Sequence, residues 1–132
     1  IGGVAVQPDG NIVEAGSDGV GHGTINRFLP NGLPDPDFQY GGVNLPYLGG
    51  FTCVAIEPGD HKILAVGVGP PPGETIEVVR LNTNGLLNGS FGQGGRSVVS
   101  FASVDPLSGP FGVGPSCVVV QPDGKILIAG SV

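Results

Sequence analysis

The chain has 132 residues, 39% of them hydrophobic and only 12% charged, and its 11 acidic against 5 basic residues leave a net charge of −6. Its 26 Gly and 13 Pro would signal disorder in a polar, aperiodic sequence, but hydrophobic runs and repeats argue for one ordered domain. The negative charge repels polyanions, which excludes nucleic acid as a partner, and no apolar run reaches the roughly 18 residues of a membrane span, which excludes membrane insertion.

The first element is VAVQPDGNIVEAG, residues 4–16. Two short apolar runs flank Pro8-Asp9-Gly10, in which Pro presets φ, Asp bonds the backbone ahead and Gly accepts positive φ, so the segment predicts a β-hairpin. Within it Glu14 shares a strand face with Ile12, where an ionised carboxylate is costly unless paired or wet. It is read as a position lining a solvated channel or edge, and as a candidate contact to a ligand in a channel.

A glycine-rich segment follows, Ser17 to Thr24, carrying Asp18 and His22. Next comes INRFLPNGLPDPDFQYGG, Ile25 to Gly42, with an Asn31-Gly32 turn and a further extended stretch from Val43 to Leu48. Asp35 and Asp37 offer oxygens to Ca²⁺, although the loop lacks the glycine and distal glutamate of the familiar calcium loop.

The opening phrase then returns as VAIEPGDHKILAVG at 54–67, its turn one residue longer, and again as VVVQPDGKILIAG at 118–130. Between them VVRLNTNGLLNGSFGQGG, Val78 to Gly95, aligns without gaps on Ile25 to Gly42 at a constant offset of 53, and an extended run from Ser97 to Phe101 follows. Arg27 falls on Arg80, Asn31-Gly32 on Asn84-Gly85, and Phe38 on Phe91. An arginine in register in each copy points to a repeated hydrogen-bonded or ionic link.

Four extended segments per unit of about fifty residues, with no helical periodicity, predict an all-β chain of four-stranded antiparallel β-propeller blades. The units run over about 4–53 and 54–117, with the first half of a third at 118–132, giving about two and a half blades. The uneven spacing is explained by an insertion in the segment 102–116.

QPDGKILIAG, followed by an arginine segment with its Asn-Gly turn and by SFGQGG, resembles the delta-60 repeat, a propeller-forming repeat of large bacterial surface and secreted proteins. The resemblance covers nearly the whole chain and implies a β-propeller at the cell surface or outside the cell, with little defined biochemistry. Gly59-Asp60 and Asp37-Phe38-Gln39 depart from its pattern.

Two and a half blades leave apolar faces that something must cover: further blades of the same chain, identical subunits closing a ring or filament, or capping partners on an open solenoid. Cys53 and Cys117 precede equivalent strands and are expected to be unpaired, largely buried thiols, with a bridge between blades as the alternative. His22 and His61 read as solvated loop histidines, and GVGHG and GVGPS as turns, since neither opens a helix as a phosphate-cradling loop does. No catalytic set is evident.

The functional expectation is a non-enzymatic module, without cofactor, that binds protein or glycan through segments differing between copies: Ser17–Thr24, Gly67–Glu74 and Ala102–Ser116. Asp18, His22, Glu74 and Asp105 are its candidate binding residues. The alternatives are a self-assembling structural protein and a fragment of a propeller hydrolase or lyase whose active residues lie in other blades.

Overall fold

The computed structural model describes residues 2–39, 43–45, 49–69, 75–100 and 113–131, and these hold ten β-strands and no α-helix. β1 (Gly3–Val6), β2 (Ile12–Ser17), β3 (Gly23–Phe28) and β4 (Val43–Leu45) form an antiparallel sheet in sequential order. β5 (Phe51–Ile56), β6 (Ile63–Val68), β7 (Thr75–Leu81) and β8 (Arg96–Ser100) repeat it, and β9 (Gly114–Val120) pairs with β10 (Ile126–Ser131) alone. The two four-stranded sheets are meanders of β-propeller type.

The hairpin turns behave as their residues dictate. Gly10 and Gly124 take positive φ (88° and 83°) and donate their N–H to the carbonyls of Gln7 and Gln121, 2.9 Å away in both cases. In the middle copy the extra residue changes the closing bond: the N–H of His61 donates to Glu57 at 3.2 Å, and His61 itself takes φ 58°. The flanking register is untouched, with Val54 opposite Ala65 as Val4 is opposite Glu14.

Burial shows how the sheets stack. Side chains alternate between two faces of each strand. On sheet 1 the face toward the second sheet carries Val13, Ala15 and Ile25, all at 0% exposure. They meet Ile63, Ala65, Val79 and Leu81 of sheet 2 in one apolar cluster that also takes in Phe38. The other face of sheet 2 brings Cys53, Leu64, Val66, Ile76 and Val78 against Val118, with Val120, Ile126 and Ile128 partly buried at its edge. Sheet 2 is therefore sandwiched, and all of Ile63 to Gly67 is buried, whereas β2 and β10 each keep one open face. The innermost strands β1, β5 and β9 lie side by side, as successive spokes require.

The two cysteines are free, as expected, but only Cys53 is buried; Cys117 is exposed. Cys117 points from the outer face of the β9–β10 hairpin, which no described residue covers, while the equivalent face of sheet 2 lies against that hairpin. Burial pushes the Cys53 thiol above its ordinary value.

Leu64 and Leu127 hold the same repeat position but are 0% and 52% exposed. Leu64→Ala is expected to cost about 3 kcal/mol and Leu127→Ala less than about 1 kcal/mol in denaturant unfolding; equal costs would refute the stacking order. His61→Gly should stabilise by about 0.5–1 kcal/mol, since relief of the left-handed backbone outweighs the added chain entropy; a lowered unfolding midpoint would contradict it.

Candidate binding rim

Antiparallel meanders send their connections alternately to two rims. The proline- and asparagine-containing turns that close β1–β2, β3–β4, β5–β6, β7–β8 and β9–β10 all lie at one rim. The other rim receives the β2–β3 and β6–β7 connections and the crossings between sheets, so the three segments that differ between copies leave from and return to strand ends on a single side.

On that side the first connection is well defined. Asp18 Oδ1 accepts hydrogen bonds from the N–H of Val20 (2.9 Å) and of His22 (2.8 Å), and its Oδ2 lies 2.9 Å from His22 Nδ1. Partial desolvation alone would raise the Asp18 carboxyl, but the bonds from His22 and Val20 hold it below the ordinary carboxylate value. Asp18 is thus largely spent on shaping its loop, while the His22 side chain stays 40% exposed. The structure brings these two expected residues together. Glu74 and Asp105 lie outside the described residues.

The opposite rim holds the recurring arginines, Arg27 buried and Arg80 half-buried. Arg27 Nε donates to Asp35 Oδ2 at 2.7 Å, Nη1 reaches Gln7 Oε1 at 3.4 Å, and the guanidinium lies 4.7 Å over the Phe38 ring. Nη1 also donates to the carbonyl of Thr83, in the second sheet, so the station joins blades as well as strands. Arg80 lies 4.6 Å over Phe91 but takes its carboxylate from Glu57, at the position of Gln7, while Asn88 replaces Asp35. Asn88 turns instead to Asn82 Oδ1, 2.7 Å away. Each arginine keeps one carboxylate, drawn from a different strand end.

This engagement bears on Ca²⁺ at Asp35 and Asp37. Asp35 is 3% exposed, one oxygen bound to Arg27 and the other accepting the Asp37 N–H at 2.9 Å, so a cation there would have to displace the guanidinium. Among the described residues no three His, Cys, Asp or Glu side chains gather as a metal site.

Glu14 lies on β2, one strand out from β1, on the open face of sheet 1 and opposite Asn26. The corresponding pair in sheet 2 is Ala65–Val79, fully buried against sheet 1. The alternation had placed Glu14 on the correct face; what that face abuts depends on the stacking direction, which the strand pattern leaves undetermined.

One polar pair went unread in the sequence. Glu77, 0% exposed, pairs with Arg96, where sheet 1 has Thr24 and Val43. The signal was there in the alignment, as two charges entering together at apolar or neutral positions.

Two stretches, residues 7–38 and 121–132, match a family model described as a β-propeller domain of unknown function (DUF5122). The match supports a β-propeller repeat family, and it takes in the turn and second strand of the first hairpin, Arg27 with Gln7, Asp35 and Phe38, and the turn and second strand of the third hairpin. No curated protein and no solved structure matches the chain.

Glu57→Gln gives the second station the Gln7 chemistry without its aspartate, and should destabilise by about 2 kcal/mol, below the fully buried range because Arg80 is partly exposed. Adding Asn88→Asp restores the first station's set of acceptors and should recover most of that loss in equilibrium unfolding. A double variant no better than the single one would overturn the exchange.

Proposed function

We propose that this chain is part of a delta-60-type β-propeller, extracellular or at the cell surface, that acts as a non-enzymatic binding or scaffold module for protein or glycan. The observation that carries this is the division of labour between the rims. One rim repeats related turns in each unit and an arginine station in both four-stranded units, so it serves the frame. The other collects the segments that differ: Ser17–Thr24, Gly67–Glu74 and Ala102–Ser116. Loops that vary in length and sequence on a repeated scaffold are how binding surfaces are written on rigid folds.

Supporting chemistry is modest and local. The ordered Asp18–His22 loop presents an imidazole beside a carboxylate, a pair able to exchange hydrogen bonds with sugar hydroxyls or peptide amides. Glu74 and Asp105 would add acceptors from the neighbouring segments. The overall charge of −6 favours neutral or cationic partners over polyanions.

Replacing residues 18–22 with a two-residue Asn-Gly turn keeps the β2–β3 register and removes both side chains. On an array of oligosaccharides and extracellular peptides, the intact chain should bind a subset and this variant should lose at least part of it. Binding by neither, or identical binding by both together with a 102–116 deletion, would overturn the rim reading.

A further inference from the structure

Glu77 and Arg96 are charges that the frame does not call for. Sheet 1 builds the same meander with Thr24 and Val43 at their positions, and a buried ion pair gains little stability over well-packed neutral groups, because both ions must leave water. The pair lies at the outer edge of sheet 2. Arg96 stands opposite Val79 and Val98 opposite Glu77, so the four side chains share the face turned toward sheet 1. Val79 is fully buried there, whereas Val98 is 60% exposed, which puts the pair where the interface between the sheets opens. A cavity of about 420 Å³ lies at this opening, walled by Glu77, Gly92, Gln93, Arg96, Ser97 and Val98. Its size falls within the range of about 300–1,000 Å³ typical of small-molecule sites.

Two features prepare the cavity for a ligand. Arg96 Nε and Nη2 both reach Glu77 Oε1, and Oε2, on a side chain 1% exposed, has no hydrogen-bond partner among the described residues. A buried acceptor left unpaired is costly and calls for a donor. The wall beside it is also held in place. Gln93 N–H donates to the Arg96 carbonyl at 2.7 Å, and Arg96 N–H donates to the Gln93 carbonyl at 3.3 Å. This fold-back needs glycine at position 92, with φ 52°, since a Cβ there would run into the Arg96 carbonyl; unit 1 has Gln39 at that position.

We propose that this cavity binds a neutral polyol, a sugar ring or its equivalent with adjacent hydroxyls. One hydroxyl donates to Glu77 Oε2, and its neighbour accepts from the Arg96 guanidinium, whose five N–H donors outnumber those Glu77 takes. Because Oε2 is closed to water, the Arg96 side chain, 34% exposed, swings aside to admit the first hydroxyl while staying within reach of the second. The Ser97 hydroxyl and Gln93 amide add donors and acceptors, and Val98 offers apolar surface to the C–H face of the ring. The paired charges select against ions: an anion would meet Glu77 and a cation Arg96, whereas a hydroxyl donates to one and accepts from the other. The cavity borders the β7–β8 connection, at the rim opposite the variable segments, so it does not rest on the rim reading above.

The test titrates glucose, galactose, mannose and myo-inositol separately into the isotopically labelled chain and follows its backbone amides by NMR. At least one should shift Gly92, Gln93, Ser97 and Val98 saturably, with a Kd of about 1–10 mM. Glu77→Gln, which sets an amide donor where Oε2 accepts, should weaken binding about tenfold, the loss of one hydrogen bond to a charged group. Installing the unit 1 pair, Glu77→Thr with Arg96→Val, should abolish binding in a chain that keeps its fold, since sheet 1 folds with those residues. Acetate and methylammonium should leave the four amides unmoved. No saturable shift with any of the four polyols, shifts that persist in the double variant, or an equal response to acetate or methylammonium would overturn the proposal. Shifts confined to the Asp18–His22 loop would overturn it as well, while supporting the variable rim.

Discussion

Everything in this molecule follows from the inability of one four-stranded sheet to bury both its faces. A small meander exposes as much apolar surface as it hides, and stability comes only when a second copy is laid against it. The effect is visible within single repeat positions. Ala65 and Val79 are fully enclosed in sheet 2, while their counterparts in sheet 1 are Glu14 and Asn26. Local strand propensity builds the sheets, but the interfaces between them decide which side chains can be apolar.

The arginine stations show a second constraint acting on the same frame. A guanidinium near the base of an interface must be neutralised locally, because a buried charge left unpaired is expensive. Nothing requires the carboxylate to come from a fixed place. Sheet 1 takes it from Asp35 in the β3–β4 connection and sheet 2 from Glu57 at the end of β5, with Gln7 and Asn88 filling the vacated positions by neutral groups. The aromatic ring beneath each arginine is the constant element, fixing the plane in which the donors are offered. Because Arg27 also reaches a backbone carbonyl of the next sheet, the station contributes to the angle between blades as well as to the sheet that carries it.

Much of this was legible in the sequence, for reasons that differ by element. The hairpins could be read because Pro8-Asp9-Gly10 and Pro122-Asp123-Gly124 carry their own geometry. The pairing of copies could be read because the offset between Ile25–Gly42 and Val78–Gly95 never breaks. What could not be read depends on distances across the stack. The exposure of Cys117 turns on what faces the third hairpin, and Gln7 and Glu57, which accept from Arg27 and Arg80, lie 20 and 23 residues away at the ends of other strands. The paired exchange of Gln7 for Glu57 and Asp35 for Asn88 was written in the alignment, but only the fold shows the two positions to be one site. The binding rim was the least legible: its segments were chosen for being different, and difference carries no chemistry until the loop is built, as with Asp18 closing on His22.

The open face of sheet 1 bears on how the chain meets others. A filament formed by stacking copies head to tail would lay the face bearing Cys117, Val119, Leu127 and Ala129 onto the face bearing Val4, Val6, Glu14 and Asn26. The exposed valines, 59% and 63% accessible, would gain from that contact. Glu14 would lose, because none of the four residues opposite carries a charge or a side-chain hydrogen-bond donor strong enough to replace water around a carboxylate. In sheets 2 and 3 the equivalent positions are Ala65 and Ile128, which suit apolar stacking, so the polar pair belongs to this face alone. Glu14 opposite Asn26 therefore weighs against indefinite self-stacking, and favours a covering element able to offer a cation or an amide at that one point.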